Sequence, residues 1–444
     1  MPLVHILILG ALMHAVESFA PHEGLGSGPG GVILGGGFLM LAGYLMGALF
    51  KDLGLPKLTG YLVTGVVAGP AVLGLISTSM LDSLRIFNGV ATALIALTAG
   101  SELEFRAVKP LINTIRWIAL VALLGTVCLL TAAVWLARDL LPFTRGLSGF
   151  QLTMLSFTLG ITLAAQSPAV VVALRKEVEA EGPLSRTVLA LVVVAEITVV
   201  LLFAISSSIA QAAFGGGGKW TDTAVRLAWE IPGSLIAGLL VGVLVAAAMR
   251  VVKNEGALFI VTVGFLIAEV GERIGFDVLL VALAAGLYVR NATKLGHRLH
   301  DDVDAGSLPV FVAFFSVAGA GLHLAALAAL IVPVAIMCGV RALGYLGGAS
   351  LGARIAGAPP SVRKYAGFGM LPQAGLALSL ALLFVREFPK FGDEAGALVF
   401  GVVTLNELVC PVLYRIALIR SGEAGRASAA EVVAPMAGPL PAES

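Results

Sequence analysis

From Val32 to Leu418 the chain passes through one apolar run after another, with no long hydrophilic stretch between them. A membrane helix needs about 20 mainly apolar residues to cross the hydrocarbon core. By that ruler, thirteen candidate spans fall near 32–50, 58–76, 83–101, 112–137, 149–174, 184–212, 226–250, 256–272, 276–291, 306–324, 325–354, 363–386 and 394–418. Only 12% of the residues are charged, about half the roughly 25% of an ordinary soluble domain. So few charges cannot cover a soluble surface. The 54 glycines fit a membrane protein too, because Gly is frequent in membrane helices. A net charge of +1 excludes a nucleic-acid binder. Cys128, Cys338 and Cys410 lie in apolar runs, with neither disulfide nor metal-ligand spacing. The expected fold is an all-α polytopic membrane protein.

Cytoplasmic loops of membrane proteins carry an excess of Lys and Arg. With residues 21–31 placed outside, eight of the 28 basic residues fall on the outer side: Arg85, Arg138, Arg145, Lys219, Arg226, Arg273, Arg386 and Lys390. Nineteen fall on the inner side, and Arg341 alone stands in mid-span. This bias supports the span count and a cytoplasmic C-terminus. Residues 1–20 have the apolar core of a signal peptide without the basic residues that should precede it. A cleaved signal and an extra helix are both open.

Two spans carry an internal proline. The fifth reads LAAQSPAVVVAL around Pro168, and the twelfth reads GFGMLPQAGLALSLAL around Pro372. Proline removes an intrahelical hydrogen bond, and in lipid the freed backbone groups need protein or water partners. Each break falls in the fifth of six spans, so residues 32–212 and 256–420 read as an inverted repeat. Residues 213–255 form the linker span, residues 1–31 a leading segment and residues 421–444 a short, disordered cytoplasmic tail. Paired interrupted helices point to a transporter's midplane site, where half-helix ends present partial charges to a substrate. Two ordinary proline kinks are the bland alternative. Ser167 and Pro168 suit the N-cap and first residue of a second half-helix. Gln166 and Gln373 flank the two breaks.

Glu196 lies near the middle of the sixth span among valines, and Arg341 near the middle of the eleventh. A carboxylate at that depth must be paired, hydrated or protonated, and Arg keeps its charge at any relevant pH. The two are the natural pair. A cation that displaces the partner of Glu196 then competes with a proton for the same oxygens, and that competition is antiport. A static salt bridge is the structural alternative. Asn406 and Glu407, also mid-span, could form a second titrating site or cap the broken helix backbone, and the supporting role is preferred. Glu102, Glu104, Glu269 and Glu272 read as surface charges at span ends, and His323 as a solvated loop residue, with a sensor as the alternative.

A set of motifs then falls in one order: LPKLTGYLVTGVVAGP at 55–70, LTAGSELEF at 97–105, ALAAGLYVRN at 282–291 and VFVAFFSVAGAGLHL at 310–324. Over residues 32–418 the chain resembles the monovalent cation:proton antiporter superfamily, especially its bacterial second branch. The resemblance implies a six-helix core with crossed broken helices that moves against a dimerisation domain, a homodimer, and a bacterial-type inner membrane. By position it implies Glu196 as the essential acid, Arg341 as the basic residue of the eleventh span, and Gln166, Ser167 and Pro168 as the unwound stretch. Electrogenic members have two adjacent acids and a Lys. Here Ala195–Glu196 and Arg341 imply electroneutral exchange of one proton for one cation, Na⁺ first and K⁺ second. Glu stands where Asp is usual in the family and reaches one methylene further, and Ser167 stands where some branch members carry Asp. The short tail leads us to expect no nucleotide-gated regulatory domain.

The competing reading is a sodium-coupled organic-anion symporter on the related crossed-helix fold. A third is a sensor without flux. No nucleophile–base pair, metal cluster or phosphate loop supports an enzyme, and no cofactor is expected beyond the transported ions.

Overall fold

The computed structural model describes residues 10–12, 29–84, 86–214, 220–252, 255–322, 324, 330–388 and 392–426. Among them there is no strand. Most of residues 1–28, His323 and residues 427–444 lie outside the described residues, and so do the expectations placed on them.

The helices are α1 Pro29–Asp52, α2 Lys57–Ala68, α3 Ile86–Glu102, α4 Gly125–Leu136, α5 Gly149–Ala164, α6 Pro168–Glu177, α7 Pro183–Ala213 and α8 Trp220–Val251. They continue as α9 Gly256–Ile274, α10 Val278–Ala292, α11 Gly296–Ala320, α12 Ile331–Ile355, α13 Pro360–Gly369, α14 Gly375–Glu387 and α15 Gly392–Arg420. Nine helical stretches among the described residues are long and apolar enough to cross a membrane. The second, eighth, ninth and twelfth expected spans are apolar helices of 10–17 residues. The tenth begins at Gly296 instead of 306, because its charged first turns are held by i,i+4 pairs such as Arg298 with Asp302 at 3.6 Å.

The helices pack in two groups. α10 lies against α3 and α8, α11 against α2 and α3, and α1 against α2. In the other group α4 lies against α5 and α12, α12 against α13, α5 against α7, and α14 against α15. Small residues decide how close α12 comes to the fourth span. A Cβ on Gly344, Gly348 or Gly352 would lie 2.6 Å from Thr126 Oγ1, the Ala122 Cα or the Trp117 carbonyl oxygen respectively. Without a hydrophobic drive between helices in lipid, such small-residue stripes let backbones approach and pack. The six residues before α4, Ala119–Leu124, form a π-helical turn at this contact.

The seam between the groups is tied where α6 and α15 end. The Glu177 carboxylate accepts from the Lys57 backbone N–H at 2.9 and 3.0 Å, capping α2. Arg415 Nη1 donates to the Gly54 carbonyl at 2.6 Å, and Lys176 pairs with Asp304.

Candidate functional site

The fifth span breaks where the proline demands it. α5 ends at Ala164, α6 starts at Pro168, and the Ser167 hydroxyl caps α6 by accepting from the Val170 N–H at 3.4 Å. The twelfth span breaks between α13 and α14, at residues 370–374. The two breaks meet, with the Ser167 N–H donating to the Pro372 carbonyl at 3.0 Å.

Each first half-helix ends in carbonyls with no intrahelical donor. Arg341 supplies donors to both ends at once: Nε to Leu163 at 2.9 Å, Nη2 to Ala165 at 2.8 Å, Nη1 to Leu371 at 2.5 Å and Nη2 to Met370 at 3.4 Å. Tyr345, one turn along α12, donates its hydroxyl to the Ala164 carbonyl and lies under the guanidinium, 4.9 Å from Cζ to the ring centre. Gln373 Nε2 reaches Leu163 and Ala165, both at 3.1 Å, and its Oε1 accepts from Asn406 Nδ2 at 2.7 Å. A fixed positive charge therefore sits on two helix C-termini, where the macrodipoles place negative potential.

The expected ion pair is absent. Among the described residues no salt bridge joins Glu196 to Arg341, whose three guanidinium nitrogens all donate to main-chain carbonyls. The physical reason is the deficit of donors at the crossing: its orphan carbonyls engage all three guanidinium nitrogens of Arg341 in place of a carboxylate.

Glu196 is 7% exposed, and its Oε2 has no hydrogen-bond partner. It faces a cavity of about 20 Å³ lined also by Ile197, Val200, Glu230, Ile231, Asp277 and Leu376. That is room for about one water molecule. The cavity lies on the seam: Glu196 comes from α7 and Leu376 from α14, while Glu230 comes from α8 and Asp277 precedes α10.

The other predicted residues divide between these two places or fall outside both. Gln166, Ser167, Pro168, Pro372, Gln373 and Asn406 gather at the crossing, all buried. Glu407 is 2% exposed with neither carboxylate oxygen hydrogen-bonded, so it caps nothing. Glu104 binds Arg290 at 3.0 Å and Glu269 binds Arg273 at 2.5 Å, as ordinary surface pairs do.

Three acids escaped the sequence reading. Asp277 has the look of a helix cap, and it is one: its Oδ1 accepts from the Leu280 N–H at 2.7 Å. Glu230 sits in the first turns of the linker span and looks like a surface charge. Glu423 lies in the segment expected to be disordered. Instead Ser421–Arg426 fold back, and the Glu423 carboxylate caps α7 by accepting from Leu184 N–H at 2.7 Å and Ser185 N–H at 2.8 Å. The N-cap position of a helix whose preceding residues lack Ser, Thr or Asp was the available signal.

Residues 37–419 match the family described as sodium/hydrogen exchanger, transmembrane. The chain belongs to that family. It is therefore a membrane transporter of the monovalent cation:proton antiporter class and not an enzyme. Among curated relatives, the Na⁺/H⁺-K⁺ antiporter GerN of Bacillus cereus is 27% identical over 402 residues, covering 88% of this chain and 97% of GerN. A Na⁺/H⁺ antiporter of Enterococcus hirae is 24% identical over 378 residues, covering 82% of this chain and 92% of the relative. Two solved structures of the sodium proton antiporter MjNhaP1 from Methanocaldococcus jannaschii share the fold, at TM-scores of 0.59 and 0.63 and 18% identity. They cover 90% and 92% of this chain, and it covers 97% and 99% of theirs.

Proposed function

We propose that this exchanger moves Na⁺, and secondarily K⁺, against protons, one for one, with cation and proton competing for Glu196. The observation that carries the reading is a deeply buried carboxylate with an unpartnered oxygen on a water-sized cavity between two helix groups. Such an intramembrane acid is expensive to keep unless it binds something. The named antiporter relatives supply the ions, and their chemistry is exchange, not symport of organic anions.

Electroneutrality follows from the division of labour. Arg341 is consumed by main-chain carbonyls and holds its charge throughout the cycle. One carboxylate then carries either one proton or one monovalent cation, so each crossing moves the same charge. The same reading assigns the ion path to the broken-helix residues Gln166, Ser167, Pro168, Pro372 and Gln373, which gather at the crossing, with Asn406 and Glu407 in a supporting role.

We further propose an inverted repeat of residues 32–212 and 256–420, a homodimer, and a bacterial-type inner-membrane setting with the C-terminus in the cytoplasm. The matching positions of the two breaks and the bias of basic residues support these assignments. In proteoliposomes with an internal pH dye, a Na⁺ gradient should drive proton flux that is indifferent to clamped membrane voltage. Glu196→Gln should abolish it. Full flux in that variant, or a rate that scales with voltage, would overturn the reading.

A further inference from the structure

Two exposed arginines stand on helix stripes that are otherwise apolar and exposed. In Ile112–Ile118, the helix that opens the fourth span, Arg116 lies one turn from Ile112 and one turn from Leu120, and all three are exposed. On α12 the exposed residues Leu343, Leu351, Arg354 and Ile355 share a face in the same way. In a membrane protein such a stripe faces lipid. The two helices are antiparallel neighbours, since Gly344 meets Thr126 while Gly352 meets Trp117. Arg116 and Arg354 therefore come to the same end, the one that the bias of basic residues assigns to the cytoplasm. α13 returns along α12, with a Cβ on Gly367 falling 2.7 Å from the Leu346 Cα, and its first turns bring exposed Arg363 and Lys364 to that end.

These four charges are oriented but not neutralised. Arg116 Nη2 donates to Asn113 Oδ1 at 3.0 Å, and its Cζ lies 5.6 Å from the Trp117 ring centre. Arg363 Nε donates to the Ala358 carbonyl at 2.5 Å, and Lys364 Nζ lies 5.1 Å from the Tyr365 ring centre. Every one of these partners is neutral. Among the described residues no salt bridge reaches any of the four. Their own segments cannot supply one, because residues 105–138 and 305–386 contain no Asp or Glu. In the turn before α7, which packs against both Ile112–Ile118 and α13, Glu181 is taken by Arg175 and Arg186.

Arginine keeps its charge at any relevant pH. On a lipid-facing stripe its head must run along its own stem to the membrane surface. The phosphates of the lipid headgroups stand there, and the guanidinium fork matches phosphate oxygens. Trp117 and Tyr365 are of the residue types enriched at that level, and basic sites between cytoplasmic helix ends suit acidic headgroups.

We propose that Arg116 and Arg354, with Arg363 and Lys364, hold the phosphate of an anionic phospholipid of the inner leaflet. Its acyl chains lie along Ile112, Leu351 and Ile355. The site is separate from Glu196 and does not depend on the exchange reading. It places the lipid on α12, the helix that carries Arg341.

Trp117 reports on the site directly. With Trp135, Trp220 and Trp229 replaced by Phe, its fluorescence is followed in vesicles that contain brominated phosphatidylglycerol or brominated phosphatidylcholine. Phosphatidylglycerol should be preferred about tenfold or more beside Trp117. Arg116→Gln and Arg354→Gln should each lower that preference about fivefold, the worth of one basic residue near a membrane surface. Arg354→Lys should keep most of it, which separates lost charge from lost folding. Lys51→Gln, on the same side but in the other helix group, should leave it unchanged. Equal quenching by the two lipids in the wild type, or an undiminished preference in the double Gln variant, overturns the site. An equal loss in Lys51→Gln overturns it too, because the effect is then surface potential alone. A chain ended at Arg426 lacks Glu431 and Glu443; a stronger preference in that chain would make the tail the occupant and contradict the proposal. Displacement by millimolar glycerol phosphate would make the site one for soluble phosphate and contradict it as well.

Discussion

Arg341 Nε donates to the main-chain oxygen of Leu163 at 2.9 Å, and that bond fastens α12 to the broken fifth span. The same side chain holds the broken twelfth span through Leu371. It is the rivet of the crossing. Its charge is answered by half-helix dipoles and carbonyls, and Glu196 is not among its partners.

Arg341→Ala should therefore cost stability before it costs ion binding. Stranding several buried carbonyls without donors costs about 1–3 kcal/mol for each group, so a loss of about 3 kcal/mol or more is expected. Arg341→Lys keeps the charge but not the planar fork that spans both breaks, and should recover only part of the loss. Thermal unfolding of the purified protein in detergent checks both. A wild-type Tm for Arg341→Ala would contradict the rivet.

The Glu423 cap predicts a stabilising role for residues 421–426. Glu423→Ala should cost about 0.5–2 kcal/mol, the usual worth of an N-cap. Gly182→Ala should do similar damage from the other side, because a Cβ there would lie 2.4 Å from Glu423 Cδ. Combining the two should cost little more than either alone, since both remove one contact. Additive losses in thermal unfolding would show that they act separately.

Glu181 supplies a pH dependence outside the membrane. Burial opposes its charge, but the Arg175 and Arg186 guanidiniums, each 2.5 Å from one of its oxygens, hold its carboxyl below the usual range. A depressed folded-state value means the contribution is present above the unfolded value of about 4.3 and is lost as pH falls through the folded value. Glu181→Gln should thus lower Tm at neutral pH, and the gap to wild type should close at strongly acidic pH. A gap that stays constant across the titration contradicts the assignment.

Glu407 makes no hydrogen bond that a carboxamide would lose. Glu407→Gln should leave the Tm at about the wild-type value, because it removes no hydrogen bond or ion pair and a carboxamide is cheaper to bury than a carboxylate. Exchange by this variant should keep its indifference to voltage. Loss of exchange in this variant, despite normal stability, would make Glu407 a second carrier.

The breaks at Pro168 and Pro372 were legible in the sequence because proline lacks an N–H wherever it stands, and lipid offers no replacement. Glu196 was legible because its depth follows from counting apolar residues on either side. The partner of Arg341 was not, since its acceptors are main-chain carbonyls, which exist at every position and leave no mark in residue type. Asp277 was hidden by its ordinary capping role, and only the packing of α8 against both α7 and α10 brings it to the cavity that Glu196 faces. Glu423 was missed because composition after Arg420 reads as disorder, while the cap depends on six residues that precede the compositionally biased stretch.

Competition at Glu196 is the central claim, and the pH dependence of the Na⁺ KM tests it most directly. Initial rates in proteoliposomes, taken at equal pH on both sides, should give a KM that rises about tenfold for each unit of acidification below the carboxyl's titration. The maximal rate should be unchanged there, as exclusive binding at one site requires. A KM that stays flat while the maximal rate falls would mean that proton and cation occupy different groups, and would contradict the account.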